Sequence, residues 1–279
     1  MKSRLSKSPY PRPKGKLKKE EQERQTFPEI VQQVLREADI ILEILDARFI
    51  EETINPDLQK LAEETGKRLI YVLNKSDLTD YQKTRDKVNS LNLHPYVLVS
   101  STKRRGIRDL RTRIKIEAQK VETQNLRVQV VVIGYPNTGK SSLINVLTGR
   151  GAAPTSLEPG FTKGIKKIKL STGIVLLDTP GVIPKEESKI VNAESMVKHA
   201  MIGIKNYDRV RDPEFVVHSL IMRNPGVFEK TYGIETEDSD LFLEKLGRKK
   251  HFLKKGNEID TNRTARLILK DWQTGRIRV

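Results

Sequence analysis

Residues 134–141 have the types and spacing needed to hold a chain of phosphates. They read Gly-Tyr-Pro-Asn-Thr-Gly-Lys-Ser and match the pattern G-x-x-x-x-G-K-[ST]. The glycines let backbone N–H groups face phosphate oxygens, and the helix that follows adds a positive dipole at its N-terminus. We expect Lys140 to bridge the terminal phosphates and the Ser141 hydroxyl to bind Mg²⁺. The other candidate nucleotide-binding residues here are Pro136, Asn137, Thr138, Gly139 and Ser142.

Residues 74–77, Asn-Lys-Ser-Asp, have the types needed to select a purine base. The Asp77 carboxylate can accept hydrogen bonds from the adjacent N1–H and N2–H groups of guanine. Adenine presents no such pair, so an ATP site, which is the alternative, would leave Asp77 buried and unsatisfied. We expect Asn74 to brace the loop and contact the base, and the stem of Lys75 to lie over the ring. Backbone N–H groups could reach the guanine O6 from Ser100, Ser101 and Thr102.

Two segments after residue 150 could act on the terminal phosphate and its metal ion. Asp178 in Leu-Leu-Asp-Thr-Pro-Gly would hold Mg²⁺, and the Gly181 amide would sense the terminal phosphate. Thr162, in a loop whose glycines allow it to order and release, is expected to be the second Mg²⁺ ligand of the protein. The predicted catalytic set is therefore Lys140, Thr162 and Gly181.

These motifs can meet only if the chain builds a sheet whose strand ends converge. Several apolar runs are nearly continuous in Val, Ile and Leu, as strands buried on both faces must be. We predict an α/β fold with a doubly wound, mostly parallel sheet, since helical patterns separate most of these runs. The alternative for residues 134–141, a structural glycine turn, is disfavoured because the segment joins a predicted strand to a predicted helix. The six predicted strands are ADIILEILDAR, RLIYVLNK, PYVLVSS, LRVQVVVIG, GIKKIKLS and IVLLDTPG.

The motifs follow one another in a rotated order. The base-selecting tetrad precedes the phosphate loop here, whereas it ordinarily follows that loop. In an open parallel sheet the ligand meets loops at the carboxyl ends of the strands, so their order along the chain is not constrained. Domain termini are often adjacent, and joining them while cutting elsewhere preserves the site. We predict a circularly permuted GTPase domain over residues 27–186 and a helical domain over residues 187–279.

The charge of the chain favours a polyanionic partner. The 279 residues carry a formal net charge of +16, and Lys or Arg contacts to phosphates release counterions. We predict a basic disordered arm over residues 1–26, with a solubilising tail as the alternative. RNA contacts are expected from the helical domain, with a merely solvated surface as the alternative. Its basic residues include Arg248, Lys249, Lys250, Lys254, Lys255, Arg263, Arg266, Lys270, Arg276 and Arg278.

Composition also bears on the compartment. No apolar run reaches the roughly 20 residues needed to cross a bilayer. The N-terminal segment lacks the apolar core of a signal peptide, and the sequence contains no cysteine. We expect a cytoplasmic protein with no membrane contact, and a monomer.

Together these residues resemble the circularly permuted GTPases of the YlqF/YawG type. The resemblance runs from about residue 27 onward and includes Asp-Ala-Arg at 46–48 and Asn-Pro at 55–56. It implies GTP and GDP binding, Mg²⁺-dependent hydrolysis, and action on the large ribosomal subunit, with rRNA contacted by the helical domain. It also implies a K⁺ ion held by Asn137. The alternative function is a GTP-gated RNA-binding module whose hydrolysis is incidental.

Two positions leave the activating group for hydrolysis open. Many GTPases place a water-orienting Gln where this chain has Val182. Bacterial relatives carry Phe-Pro-Gly-His-Met near the N-terminus, whereas this chain reads Phe-Pro-Glu-Ile at 27–30, so that histidine is absent. We also expect hydrolysis to move residues 182–188, which lead directly into the helical domain.

Overall fold

The computed structural model describes residues 34–122, 125–149, 166–179, 192–236 and 238–278. From residue 38 onward, the described residues belong to the larger of two compact units. The predicted arm, Thr162, Gly181 and the segment 182–188 lie outside the described residues. The predicted boundary at 186/187 lies outside them too and stays a prediction. Within the described residues, no helix is long and apolar enough to cross a membrane.

A six-stranded sheet underlies the larger unit. Its strands are β1 (Ile40–Asp46), β2 (Arg68–Asn74), β3 (Tyr96–Leu98), β4 (Val128–Ile133), β5 (Lys166–Ser171) and β6 (Ile174–Asp178). They lie in the order β3-β2-β1-β4-β6-β5, and all neighbours are parallel except β5 and β6. All seven residues of β1 are buried, as a strand in the middle of a sheet covered on both faces requires. The predicted α/β class and mostly parallel sheet are confirmed.

Helices cover both faces of this sheet. Those that precede β5 are α1 (Ile50–Thr53), α2 (Pro56–Thr65), α3 (Tyr81–Ser90), α4 (Ile107–Ala118) and α5 (Lys140–Thr148). One apolar cluster contains Leu42 of β1 with Leu110 of α4 and Leu143 of α5. A second contains Leu45 of β1 with Val88 of α3. Residues 42 and 45 point to opposite faces of the strand, so the sheet is doubly wound as predicted.

The described residues after β6 are mostly helical. The helices are α6 (Ala193–Met201), α7 (Pro213–Arg223), α8 (Val227–Tyr232), α9 (Ser239–Lys249) and α10 (Thr261–Gln273). Trp272 of α10 is completely buried. Its ring stacks on Phe228 at 5.5 Å and on Phe49 at 5.6 Å between centroids. Because Phe49 directly precedes α1, the helices share their apolar core with the sheet-bearing part of the chain.

Two polar residues define this helical part further. Asp212 accepts a hydrogen bond from the backbone N–H of Phe215 at 3.1 Å, which makes it the N-cap of α7. Arg266, expected among the RNA-contacting residues, donates instead to the carbonyl oxygens of Tyr207 and Val210 at 3.1 and 3.2 Å. Its guanidinium therefore stabilises the packing of α10 against the turn that contains Tyr207 and Val210.

Candidate nucleotide-binding site

The phosphate loop lies between the end of β4 and the start of α5, as predicted. Asn137 and Gly139 have φ values of +62° and +92°, in the left-handed region. A Cβ at Gly134 would lie 2.4 Å from the carbonyl oxygen of Ile44, and one at Gly139 would lie 2.3 Å from Nδ2 of Asn74. No side chain fits at either position, so both glycines are required for the close approach of this loop to its neighbours.

Lys140 is the first residue of α5 and is buried. Its Nζ donates to the carbonyl oxygens of Gly134 and Tyr135 at 2.9 and 2.7 Å. Burial lowers the pKa of Lys140 to about 8; Asp178 opposes this shift, and Lys75 adds to it. A phosphate chain in the loop would supply the missing negative charge and hold the amine protonated.

The end of β6 lies beside the phosphate loop. Asp178 is completely buried and is the parallel-sheet partner of Val132, near the end of β4. The hydroxyl of Thr179 donates to the carbonyl oxygen of Val132 at 2.8 Å and ties the two strand ends together. The half-buried Ser141 hydroxyl and the Asp178 carboxylate are oxygen ligands of the kind that Mg²⁺ takes, so these residues fit the predicted ion. Among the described residues, no cluster of three or more acidic or His side chains offers another metal site.

Asn74, the last residue of β2, connects three loops. Its Nδ2 donates to the carbonyl oxygen of Thr138 in the phosphate loop at 2.9 Å. Its Oδ1 accepts from the backbone N–H and the hydroxyl of Ser101 at 3.1 and 2.9 Å. The structure thus brings together the tetrad, the phosphate loop and the Ser-Ser-Thr loop, and gives Asn74 the bracing position that the sequence predicted.

A buried ion network that the sequence did not predict holds Lys75. The Asp46 carboxylate accepts from Lys75 Nζ at 2.8 Å and from Arg48 Nε and Nη2 at 3.0 and 2.8 Å. Burial alone would raise the pKa of Asp46, but the charges and hydrogen bonds of Lys75 and Arg48 outweigh it and hold that pKa well below its usual range. One signal could have found this network: Asp46 and Asn74 end neighbouring strands, so their loops had to meet.

A cavity of about 460 Å³ lies among these loops, within the usual range for ligand pockets. The predicted site residues that line it are Asn74, Lys75, Asp77, Ser101, Thr102, Asn137, Gly139 and Ser142. Ser100, Pro136, Thr138 and Lys140 are buried within the same loops, with Ser141 beside them. The helical part also lines the cavity, through Met201, Ile202, Gly203, Gln273, Thr274, Gly275 and Arg278, which was not predicted.

Asn137, the predicted K⁺ ligand, contacts the helical part directly. Its Nδ2 donates to the carbonyl oxygen of Gly203 at 2.5 Å. A Cβ at Gly203 would lie 3.3 Å from the Asn137 side chain, so the turn after α6 packs tightly on the phosphate loop.

Known proteins are similar to this chain in sequence and in fold. Over 252 residues the chain is 30% identical to Ribosome biogenesis GTPase A of Thermotoga maritima, and the match covers 88% of this chain and 86% of that protein. The chain belongs to the YlqF family of ribosome biogenesis GTPases. The crystal structure of GNP-bound YlqF from T. maritima superimposes with a TM-score of 0.62 at 25% identity, over 89% of this chain and 94% of that one.

Two further matches extend the YlqF assignment. The family described as 50S ribosome-binding GTPase matches residues 129–238. An uncharacterized GTP-binding protein of Methanocaldococcus jannaschii is 35% identical over 250 residues, which cover 89% of this chain. The chain spans 65% of the length of that relative and 48% of a Caenorhabditis elegans guanine nucleotide-binding protein-like 3 homolog.

Proposed function

We propose that the protein binds GTP and GDP and hydrolyses GTP during assembly of the large ribosomal subunit. The bond from Asn74 to Thr138 is the observation that carries this proposal, because it places the base-selecting tetrad beside the phosphate loop. Asp77 would accept from guanine N1–H and N2–H, and the stem of Lys75 would cover the ring. In the Ser100–Thr102 loop, the N–H groups of Ser100 and Ser101 already donate to Arg105 O and Asn74 Oδ1, so the Thr102 N–H would face O6.

The same site accounts for phosphate binding. Backbone N–H groups of residues 137–142 and the N-terminus of α5 would surround the phosphates. Lys140 would leave the carbonyl oxygens it now contacts and neutralise the terminal phosphates. Mg²⁺, held by Ser141 and Asp178, would neutralise charge on the β- and γ-phosphates. Thr162 as a metal ligand and Gly181 as the sensor of the terminal phosphate are proposed on their motifs alone. K⁺ at Asn137 is proposed on the resemblance to related GTPases.

We further propose that the rotated motif order is a circular permutation. The first strand of the described residues, β1, lies in the middle of the sheet and pairs with both β2 and β4. The sheet therefore consists of two halves, β1 to β3 and β4 to β6, that meet at the β1–β4 pair. In the ordinary motif order the β4–β6 half comes before the β1–β3 half. Cutting that chain between β6 and β1, and joining the segment after β3 to β4, gives the order seen here without moving a loop.

The proposed partner is rRNA of the large subunit. An antiparallel bridge between Leu253 and Ile259 closes a hairpin between α9 and α10. Exposed basic residues surround it: Arg248, Lys249, Lys250, Lys254 and Lys255. Such a surface tracks phosphates and has little sequence specificity of its own. A cytoplasmic monomer without membrane contact is also proposed, supported by the absence of cysteine from the sequence.

Sedimentation with purified large ribosomal subunits tests this function. We expect the protein to co-sediment more strongly with a non-hydrolysable GTP analogue than with GDP, and subunits to stimulate GTP turnover. Co-sedimentation without any stimulation would favour the GTP-gated RNA-binding module instead. Competition between ATP and GTP for the purified protein tests base selection, and equal competition would contradict the role given to Asp77.

A further inference from the structure

The last turn of α10 lies against the base-selecting tetrad. Gly275, which follows α10, has a φ of +77°, and a Cβ added there would lie 2.4 Å from Leu78 Cδ1. Leu78 directly follows Asp77, and its N–H donates to the carbonyl oxygen of Lys75 at 2.9 Å, which closes the turn of the tetrad loop. The end of the helix therefore touches the loop that would hold the base.

Arg48 makes a second connection between the same two elements. Its Nη1 donates to the carbonyl oxygen of Trp272 at 2.8 Å, while Nε and Nη2 bind the Asp46 carboxylate that also holds Lys75. The Arg48 side chain is only 2% exposed. A cation at the C-terminus of a helix interacts favourably with the helix dipole. One buried guanidinium thus fixes the position of Lys75 and of the helix end together.

The helix end is tied in turn to the phosphate side of the cavity. Nε2 of Gln273 donates to the carbonyl oxygens of Ala200 and Lys205 at 2.7 and 2.8 Å. Gly203 lies between those two residues and accepts from Asn137 of the phosphate loop. The helical part therefore contacts the tetrad side of the cavity through Trp272 and the phosphate-loop side through Gly203, and Gln273 connects the two contacts by hydrogen bonds.

We infer that the C-terminal turn of α10 is a built wall of the guanine site, positioned by Arg48, so that base binding and the placement of α10 are coupled. This inference rests on the proposed nucleotide binding. Coupling between two sites is reciprocal in free energy. A polyanion that displaces or holds α10 changes nucleotide affinity, and guanine nucleotide stabilises the packing of α10 on the tetrad loop.

Gly275→Ala tests the wall. We expect this variant to bind fluorescently labelled GDP about tenfold more weakly than wild type, within the usual range for coupled sites. Gly226→Ala is the matched control, because Gly226 has a φ of +80° and nothing within 4 Å of an added Cβ. It carries the same backbone strain and should keep wild-type affinity. In a Leu78→Ala background, Gly275→Ala should reduce GDP affinity much less, because the Leu78 side-chain atoms that the added Cβ would meet are absent.

Different outcomes test the inference and the proposed nucleotide binding on which it rests. Equal GDP affinity in Gly275→Ala and Gly226→Ala, or the same cost of Gly275→Ala with and without Leu78→Ala, overturns the inference. A wild-type protein that binds no GDP overturns the proposed function instead.

Arg48→Lys decides the question if Gly275→Ala does not fold. A lysine cannot bind Asp46 through two nitrogens and reach Trp272 as well. In wild type we expect GDP to slow hydrogen exchange at residues 134–141 and at 270–278. In Arg48→Lys, saturating GDP should still protect 134–141 but no longer 270–278. A merely structural role would raise exchange with and without GDP alike, so an unchanged GDP-dependent difference at 270–278 overturns the inference.

Discussion

Nδ2 of Asn74 donates to the carbonyl oxygen of Thr138 at 2.9 Å, across 64 residues of chain. The other end of the same amide holds Ser101. One side chain therefore fixes three loops that are far apart in sequence, and everything proposed about nucleotide binding depends on this junction.

Asn74→Ala should destabilise the protein and abolish GDP binding together. The change leaves buried partners at Thr138 and Ser101 unsatisfied, which costs about 1–3 kcal/mol per group. Thermal unfolding and GDP titration measure the two effects. Asn89→Ala, on the exposed face of α3, is the control and should change neither. An Asn74→Ala protein with wild-type GDP affinity would show that the loops do not need this brace.

Asp77→Asn should exchange guanine for xanthine specificity. The amide can donate to the carbonyl that xanthine carries at C2, but it can no longer accept from both guanine N–H groups. We expect GDP affinity to fall at least about a hundredfold and xanthosine diphosphate affinity to rise, since unsatisfied polar groups in a site dominate discrimination. Competition binding measures both, with Asp86→Asn on exposed α3 as control. Unchanged preference for GDP would remove Asp77 from the base site.

GDP binding near pH 8.5 should take up protons through Lys140. Burial lowers the pKa of this amine to about 8 without ligand, so much of it is neutral at that pH. Phosphates favour the charged form, so the proton enters on binding, and affinity falls as pH rises above 8. Calorimetry in buffers of different ionisation enthalpy measures the uptake. Lys140→Arg, which stays protonated, should lack it; identical uptake in both proteins would refute the assignment.

Glu43 should make the stability of the fold depend on pH. This completely buried side chain on β1 accepts from the N–H of Asn55, the cap of α2, at 2.6 Å. Burial raises its pKa from 4.5 to about 8, against the effect of that hydrogen bond. The folded state thus keeps a proton that the unfolded state releases, and this group's contribution to stability is lost as pH rises from about 4.5 through 8.

Glu43→Gln removes this dependence. Urea denaturation should show that the free energy of unfolding of the variant, relative to that of wild type, rises steadily between pH 5 and pH 8, because the amide cannot ionise. The control is Glu244→Gln, at an exposed position on α9. Its free energy of unfolding should depend on pH in the same way as that of wild type across this range. A constant difference between Glu43→Gln and wild type would mean that Glu43 does not titrate in this window.

The sequence was sufficient for the strands and the loops at their ends. Each predicted strand carried its own local signal, such as the continuous apolar run of β1. The tetrad and the phosphate loop each began where one strand ended. The cyclic order of the motifs also predicted which loops must meet, as the Asn74 junction shows.

Contacts of the helical part could not be predicted in this way. Arg48 and Trp272 are 224 residues apart, and the acceptor is a backbone carbonyl that carries no sequence signal. Arg266 looked like a surface cation because its partners are also carbonyl oxygens. Only the packing of α10 on the tetrad loop gives Gly275 its significance, and a glycine after a helix is otherwise an ordinary end signal.

The distance along the chain between Leu78 and Gly275 has a consequence for synthesis. A ribosome adding 5–20 residues per second needs roughly 10–40 s to pass from Leu78 to Gly275, which lies against it. Throughout that interval the emerging polypeptide carries a half-built pocket. Translation must therefore reach at least Gly275 before the newborn protein can hold its nucleotide with full strength.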